Sequence, residues 1–214
     1  MATSNSSGVS PGVSPAAAAG PLPRADRRLA ILDGAARAFV LDGYTSTSME
    51  EVAAASGITK LIVYRHFDSK EALYRAVLER VHQRLTEEFR EGLHLGPEGI
   101  VRSMLVVARE HPEGVQLLWR HAARESAFAG YADELREHAL AVSRLLLEPY
   151  VEPAMREWAA QTCVGYLVEA ILAWLDQGDP ALDERFVIFA SDALRGAVSA
   201  WVSAAPVASS ARGA

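Results

Sequence analysis

Residues 49–67 constrain this chain more than any other stretch. They read as two short helices separated by Gly57, a residue that readily adopts the left-handed conformation in which many helices end. The first helix has small or apolar residues at helical spacing, which predicts one buried face. Two pairs of residues at its start fit the capping-box spacing, Ser48/Glu51 and Thr47/Glu50.

The second of these helices has an unusual outward face. Thr59 fits its N-cap position, and Val63 and Phe67 lie four residues apart, which predicts a face that packs on a core. The opposite face carries hydrogen-bond donors that suit phosphate oxygens: Lys60, Tyr64, Arg65 and His66. A helix-turn-helix presents its second helix to the DNA major groove in this way. A solvated turn between two packing helices is the alternative, but the coincidence of cap, glycine and donor face favours DNA binding.

The rest of the composition is that of a globular chain. Its 214 residues are half hydrophobic, which is enough for a sizeable core. It has no run of eighteen apolar residues without charges and no secretory signal pattern, so we expect a cytoplasmic protein with no membrane partner. Cys163 is its single cysteine, which excludes an internal disulfide.

The net charge of −6 conceals an asymmetry along the chain. Residues 24–80 carry nine Lys/Arg and eight Asp/Glu, whereas the residues after them carry twelve and nineteen. DNA affinity depends on local neutralisation of phosphates, so a near-neutral segment with clustered donors can still bind DNA. The acidic remainder is expected to lie away from the DNA.

The chain divides into four parts. Residues 1–23 lack periodicity and are rich in Ser, Gly, Pro and Ala, which predicts a disordered arm. Residues 24–70 are predicted to form the DNA-binding domain, residues 71–205 a larger helical domain, and residues 206–214 a frayed tail. A first helix should run from residue 24 or 25 to residue 41, and a fourth should begin after Asp68, which has capping-box spacing to Glu71.

The first helix begins with three arginines, Arg24, Arg27 and Arg28. Cations at a helix N-terminus oppose the helix dipole, at a cost of a few tenths of a kcal/mol. A phosphate partner would explain the cluster, and a merely solvated group of charges is an equally good interpretation. Lys70 lies in the first turn of the fourth helix, where the helix N-terminus itself favours an anion.

These motifs together resemble the signature of the TetR family of bacterial transcriptional regulators. The resemblance covers about a quarter of the chain and rests on several short segments: Gly43-Tyr44, Thr47-Ser48-Met49, Val52-Ala53, Ser56 to Lys60, Val63 to Phe67 and Ser69 to Leu73. It implies an all-α fold with about nine helices, in which a three-helix DNA-binding domain is joined by helix 4 to a variable helical domain. That second domain would bind a small-molecule effector and dimerise.

The resemblance also assigns roles to particular residues. Tyr64, His66 and Lys70 would contact phosphates, and Thr47 would lie near the DNA backbone. The groove-facing residues would be Thr59, Lys60, Leu61, Ile62 and Arg65. Leu61 and Ile62 are bulky where many members carry small or hydroxyl side chains, so these two would read bases through apolar contact. With Arg27 and Arg28, these residues make up the predicted DNA-binding set.

The two long helices at the end of the chain, about residues 154–177 and 181–202, contain many small residues that permit close helix approach. One interpretation is that they complete a monomeric core. The resemblance favours the other, in which two such helices from each subunit form a four-helix homodimer interface. A two-fold dimer also matches a pseudo-palindromic operator with paired half-sites.

An effector pocket in such a bundle should be mostly apolar with a few polar groups. The candidates, each of which is by itself more typical of ordinary core, are Met104, Leu105, Leu118, Trp119, His121, Tyr131 and Tyr166. We expect no catalytic residue, metal site or cofactor, because the sequence has no metal-ligand spacing, phosphate-binding glycine loop or nucleophile motif.

The sequence therefore predicts a DNA-binding regulator that is a homodimeric repressor released from its operator by an effector. The alternative is a small-molecule binding or carrier protein with a vestigial DNA-binding domain. An enzyme or a nucleoid-type architectural protein is disfavoured, the latter because of the acidic bulk of the chain.

Overall fold

The computed structural model describes residues 23–204, which are all-helical and contain no strand. The predicted fold class of about nine helices is confirmed. The helices are α1 Arg24–Ser46, α2 Met49–Ser56, α3 Lys60–His66, α4 Lys70–Leu93, α5 Gly96–Glu110, α6 Pro112–Gln116, α7 Ala129–Leu147, α8 Pro153–Gln177 and α9 Asp183–Ala204. Most of the predicted N-terminal arm and all of the predicted frayed tail lie outside the described residues.

The first three helices form a tight unit. Of the two possible capping boxes, Ser48 and Glu51 make the one that starts α2, because each side chain bonds the backbone N–H of the other. Gly57 ends α2 in the left-handed conformation, with φ 65° and ψ 24°. Helix α2 lies so close to α1 that a Cβ added to Gly34 would be 2.2 Å from Ser56 Oγ and 2.6 Å from Ser56 Cα. The contact therefore requires glycine on the α1 side.

Three sequence predictions concern helix ends. Helix α1 is interrupted at Gly43 (φ 78°, ψ 163°), close to its predicted end at residue 41, and a short helical segment then continues to Ser46. The N-cap of α4 is Ser69, whose hydroxyl accepts from the Ala72 N–H, and not Asp68. Thr59 occupies the N-cap position of α3 as predicted, but its side chain makes no capping hydrogen bond.

The segment between α5 and α7 consists of three short pieces. Helix α6 has only five residues and passes into a π-helical turn, Leu117–His121, and then a 3-10 turn, Ala122–Arg124. A π turn inserts an extra residue into the helical repeat and often occurs at functional sites. The sequence pattern did not reveal it, because the apolar spacing of this segment resembles that of an ordinary helix.

An aromatic cluster joins the N-terminal helices to the segment that follows the π turn. Phe128 is buried, and its ring centroid lies 4.5 Å from that of Tyr74 on α4 and 4.8 Å from that of Tyr44 on α1. Phe39 on α1 completes the cluster, 4.9 Å from Tyr74. Burial raises the pKa of Tyr74 to about 12. The two parts of the chain thus share one continuous core.

Helices α7, α8 and α9 complete the bundle around α4 and α5. Both α8 and α9 are long and apolar enough to cross a membrane by length and composition alone, which the sequence reading had not anticipated. Only 33% of the most apolar window of α8 and 22% of that of α9 is buried. A large apolar surface on these two helices is therefore uncovered in the single chain.

Candidate DNA-binding surface and ligand cavity

Helix α3 is anchored on one side and uncovered on the other. Val63 is fully buried, and Phe67, directly after the helix, is 5% exposed. On the opposite side Leu61 is 63% exposed and Tyr64 is 44% exposed. Lys60 and Arg65 are also exposed, whereas Ile62 is half-buried. The predicted division of α3 into a core face and a donor face is therefore present.

Lys60 already has a partner in the free protein. Its ammonium group donates to the Glu50 carboxylate on α2 and lies 5.7 Å from the centroid of the Tyr64 ring. The hydrogen bond with Glu50 raises the pKa of Lys60 and lowers that of Glu50. A phosphate that binds Lys60 must therefore compete with Glu50. The sequence offered no sign of this pairing, because the two residues lie ten positions apart on different helices.

The arginines at the start of α1 lie beside the end of α3. The Arg28 guanidinium is 5.2 Å from the centroid of the Phe67 ring. Burial lowers the pKa of His66, and the nearby positive charges of Arg24, Arg27 and Arg28 lower it further. Four basic side chains from α1 and α3 thus share one electrostatic field. This finding favours a phosphate contact over a set of unrelated solvated charges.

Lys70 and Thr47 both donate hydrogen bonds to backbone carbonyls near the end of α1 but differ in exposure. Lys70 donates to the Thr45 carbonyl at 3.0 Å and lies 4.7 Å from the centroid of the Tyr44 ring, at the N-terminus of α4. The Thr47 side chain is 1% exposed, and its hydroxyl donates to the Gly43 carbonyl at 2.7 Å. Thr47 therefore fastens the end of α1, and its hydroxyl is not presented on the surface as the resemblance implied.

A second feature is a cavity of about 770 Å³ between α4, α5, α7, α8 and α9. Its size is within the range of about 300–1,000 Å³ that is typical of small-molecule sites. Hydrocarbon side chains supply most of its wall, including Leu85, Phe89, Ile100, Val142, Leu167 and Val198. Its ionisable lining groups are the exposed side chains Asp133, Arg136, His138, Tyr150 and Arg195, together with the half-buried Cys163. Burial raises the pKa of the Cys163 thiol.

Two of the seven candidate effector residues line this cavity, Met104 and Trp119. Leu105 and Leu118 belong to the core instead. His121 is half-buried in the π turn, with its pKa lowered by burial. Tyr131 donates its hydroxyl to Glu79 at 3.1 Å, and Tyr166 is exposed on α8. The structure does not bring these five residues into the cavity wall.

Sequence reasoning named only Tyr131 on α7 as a candidate for this wall. The apolar stripe Leu135, Ala139, Val142 and Leu146 predicts an inward face, and these four residues line the cavity, with Leu146 48% exposed. Leu140 and Leu147 are the buried residues of the helix. The stripe was a usable signal, because its helical spacing did identify an inward face. What covers that face could not be read from α7 alone.

Comparison with known proteins shows a similarity that is strongest in the N-terminal helices. Residues 31–77 match the family described as "Bacterial regulatory proteins, tetR family". The chain is 42% identical over 72 residues to the HTH-type transcriptional activator FasR of Mycolicibacterium smegmatis, a match that spans 34% of this chain and 33% of FasR. It is 29% identical over 134 residues to the HTH-type transcriptional repressor KstR2 of Rhodococcus jostii, across 63% of this chain and 62% of KstR2.

A solved structure extends the similarity beyond the first helices. A TetR-like transcriptional regulator from Rhodococcus sp. RHA1 superposes with a TM-score of 0.73 at 24% identity. The superposition covers 86% of this chain and 100% of the Rhodococcus chain. At that identity the agreement establishes the fold of the helical bundle.

Proposed function

We propose that this chain is a member of the TetR family and a sequence-specific DNA-binding transcriptional regulator of the cytoplasm. Residues 24–70 would bind a pseudo-palindromic operator, and residues 71–205 would bind an effector and dimerise. The observation that carries the proposal is the donor face of α3, which is continuous with the basic start of α1. Donors on two helices can contact phosphates on both sides of the groove that α3 enters.

Dimerisation would cover the apolar surface of α8 and α9. Trp158 on α8 is 52% exposed and Phe189 on α9 is 65% exposed, beside small residues that permit close helix approach. A second copy of the chain fits this surface better than a bilayer does. Glu169 lies near the middle of α8, and Asp192 and Arg195 lie near the middle of α9, where charges are costly in a membrane.

The structure suggests how a ligand could influence the DNA-binding surface. Trp119, in the π turn, lines the cavity, and Ala123 in the following 3-10 turn does so too. Phe128 comes four residues after that turn and packs between α1 and α4. A ligand that prefers one position of this segment would therefore favour one orientation of the N-terminal helices, to the extent of its differential affinity for the two states.

We propose that the protein represses transcription and that the effector releases it from its operator. The alignment with a repressor, KstR2, spans 134 residues and extends further along the chain than the 72-residue alignment with an activator, FasR. If ligand binding changes the distance between the two α3 helices of the homodimer, they no longer match the half-sites, and the protein would leave its operator. A repressor and an activator would use the same helix-turn-helix, so the position of the operator relative to the promoter decides the direction.

The test is a DNA selection from a random duplex library, performed with the wild type, Tyr64→Ala and Tyr64→Phe. We expect a pseudo-palindrome to be enriched by the wild type, weakly by Tyr64→Phe, which lacks only the hydroxyl, and not by Tyr64→Ala. Circular dichroism confirms that each variant is folded. If the wild type enriches no sequence at modest salt, the alternative of a carrier with a vestigial DNA-binding domain gains support.

A further inference from the structure

The cavity wall indicates what kind of molecule enters it. Its lining is mainly hydrocarbon, with the half-buried Thr86 and Ser143 as its few inner hydroxyl residues, and the ionisable side chains that line it, apart from the half-buried Cys163, are solvent-exposed. A ligand with many groups that need hydrogen bonds would leave most of them without a partner against the hydrocarbon wall, at a cost of about 1–3 kcal/mol each. The buried portion of the ligand must therefore be largely apolar.

The cavity is also long in one direction. Its lining residues on α7 extend from Ala132 to Leu147, which is about 22 Å at 1.5 Å per residue. On α9 they extend from Leu194 to Ser203, about 14 Å by the same measure. A hydrocarbon chain, or a row of fused rings, fits such a space better than a compact molecule.

The lining residues include more arginines than carboxylates, although the chain as a whole is acidic. The charged lining residues are two arginines, Arg136 on α7 and Arg195 on α9, and one carboxylate, Asp133, and His138 lines the cavity as well. Arg195 already pairs with Asp192 and with the Ser191 hydroxyl. Arg136 makes no ion pair with any residue between 23 and 204 and remains available to an anion.

From these three observations we infer that the cavity takes an amphiphile with an elongated hydrocarbon body and one anionic head group, which Arg136 holds at the rim. The inference rests on the effector role proposed above and deepens it by naming the chemical class of the ligand. A carboxylate and a phosphate share the required chemistry. A cationic or uncharged head group lacks it.

Calorimetric titration of the full-length protein without DNA tests the inference. The probes share a twelve-carbon tail and differ in the head group: dodecanoate, dodecyl phosphate, dodecanol and dodecylamine. Hexanoate, octanoate and decanoate vary the tail. Each ligand stays below its micelle concentration. Arg136→Gln removes the rim cation, and Arg90→Gln, an exposed arginine on α4 outside the cavity wall, is the matched control.

We expect the affinity of the carboxylates to rise about fourfold for each added methylene. At least one anionic probe should bind about fivefold more tightly than dodecanol, since an exposed ion pair contributes up to about 1 kcal/mol. That preference should vanish in Arg136→Gln and persist in Arg90→Gln. Tighter binding of dodecanoate would identify a free carboxylate as the head group, and tighter binding of dodecyl phosphate a phosphorylated one.

Bound probe should also protect Cys163, the only cysteine of the chain and a lining residue, from alkylation by a maleimide. The inference is overturned if no twelve-carbon probe binds, if dodecylamine binds as tightly as the anions, or if Arg136→Gln leaves the preference unchanged. Because DNA is absent, a negative result here would not affect the operator selection, and a failed selection would not affect this titration.

Discussion

Two regions of this molecule leave helix faces uncovered, and they are chemically opposite. The outer face of α3 carries hydrogen-bond donors next to the arginines of α1, whereas the uncovered faces of α8 and α9 carry large apolar side chains such as Trp158 and Phe189. A donor face gains little from burial against protein but gains much from phosphates, while an apolar face gains chiefly from another apolar surface. This contrast supports the proposal that one region binds nucleic acid and the other a second copy of the chain.

The largest expected effect concerns the apolar surface of α8 and α9. Phe189→Glu places a charge in the proposed dimer interface, and we expect the dimer dissociation constant to rise by at least about a hundredfold, because an unpaired charge would be desolvated in each subunit. Sedimentation velocity measures the change. Leu145→Glu alters a leucine on α7 that is equally exposed, at 69%, and should leave the dimer intact. A dimeric Phe189→Glu protein would place the interface elsewhere.

The next effect concerns the support of the donor face. Gly34→Ala forces a methyl group against Ser56, so α1 and α2 must separate, and we expect the free energy of unfolding to fall by about 1–3 kcal/mol. Urea denaturation followed by circular dichroism gives the value. Gly130→Ala is the control, because nothing lies within 4 Å of a Cβ at that position. Equal stability of the two variants would contradict the close contact between α1 and α2.

The arginines test whether the donor face extends from α3 to α1. The double variant Arg27→Gln, Arg28→Gln removes two proposed phosphate contacts from each subunit of the dimer. The slope of log K against log salt concentration for the selected operator should therefore become less negative by about 3 to 4. Affinity should fall similarly for all sequences, because these contacts do not read bases. Arg90→Gln should retain the wild-type slope. An unchanged slope in the double variant would show that α1 does not contact the DNA.

The smallest expected effect is on pH dependence. The pKa of His66 is lowered in the free protein, so its imidazole is neutral at pH 7, and a bound phosphate would raise the pKa again. DNA binding would then take up a proton, and affinity should increase as the pH falls from the raised pKa of the complex towards the lowered pKa of the free protein, by at most about tenfold per pH unit and histidine. His66→Gln should lose this increase. Fluorescence anisotropy with the selected operator at constant ionic strength measures the pH dependence of affinity for the wild type and for His66→Gln.

The same shift has the opposite consequence for stability. The unfolded chain binds a proton on His66 more readily than the folded chain does, so acidification favours the unfolded state. The contribution of His66 to the free energy of unfolding is therefore present at neutral pH and is lost as the pH falls below about 6.5. Burial lowers the pKa of His111 and His121 in the same direction. Denaturation curves at several pH values separate this effect from DNA binding.

The two regions also differ in how far the sequence predicts them. The helix-turn-helix depends on local features, such as the Ser48–Glu51 capping box and the left-handed Gly57. Features of this kind can be predicted from a short stretch of sequence. The hydroxyl of Thr47 was the exception, because its burial depends on how the end of α1 folds back on α2. The boundaries between the four predicted parts of the chain remain a prediction.

The cavity was much less predictable. Its wall combines side chains from five helices, and a stripe such as that of α7 looks the same whether it meets core or empty space. Arg136 carried no signal at all in the sequence, because its position at the rim depends on the packing of α7 against α8. Long-range packing of this kind is not encoded in any short spacing, so only the helix count and the inward faces could be anticipated.

The pairing of Lys60 with Glu50 has a consequence for how the protein would search a genome. Any DNA that engages Lys60 must first displace a carboxylate, and the displacement costs the same on every sequence. Only an operator offers additional base contacts to offset that cost, so the protein would dissociate from unrelated DNA sooner than it would with an unpaired lysine. An acidic residue beside the recognition helix would in this way shorten the residence time at wrong sites and leave more molecules free to find the right one.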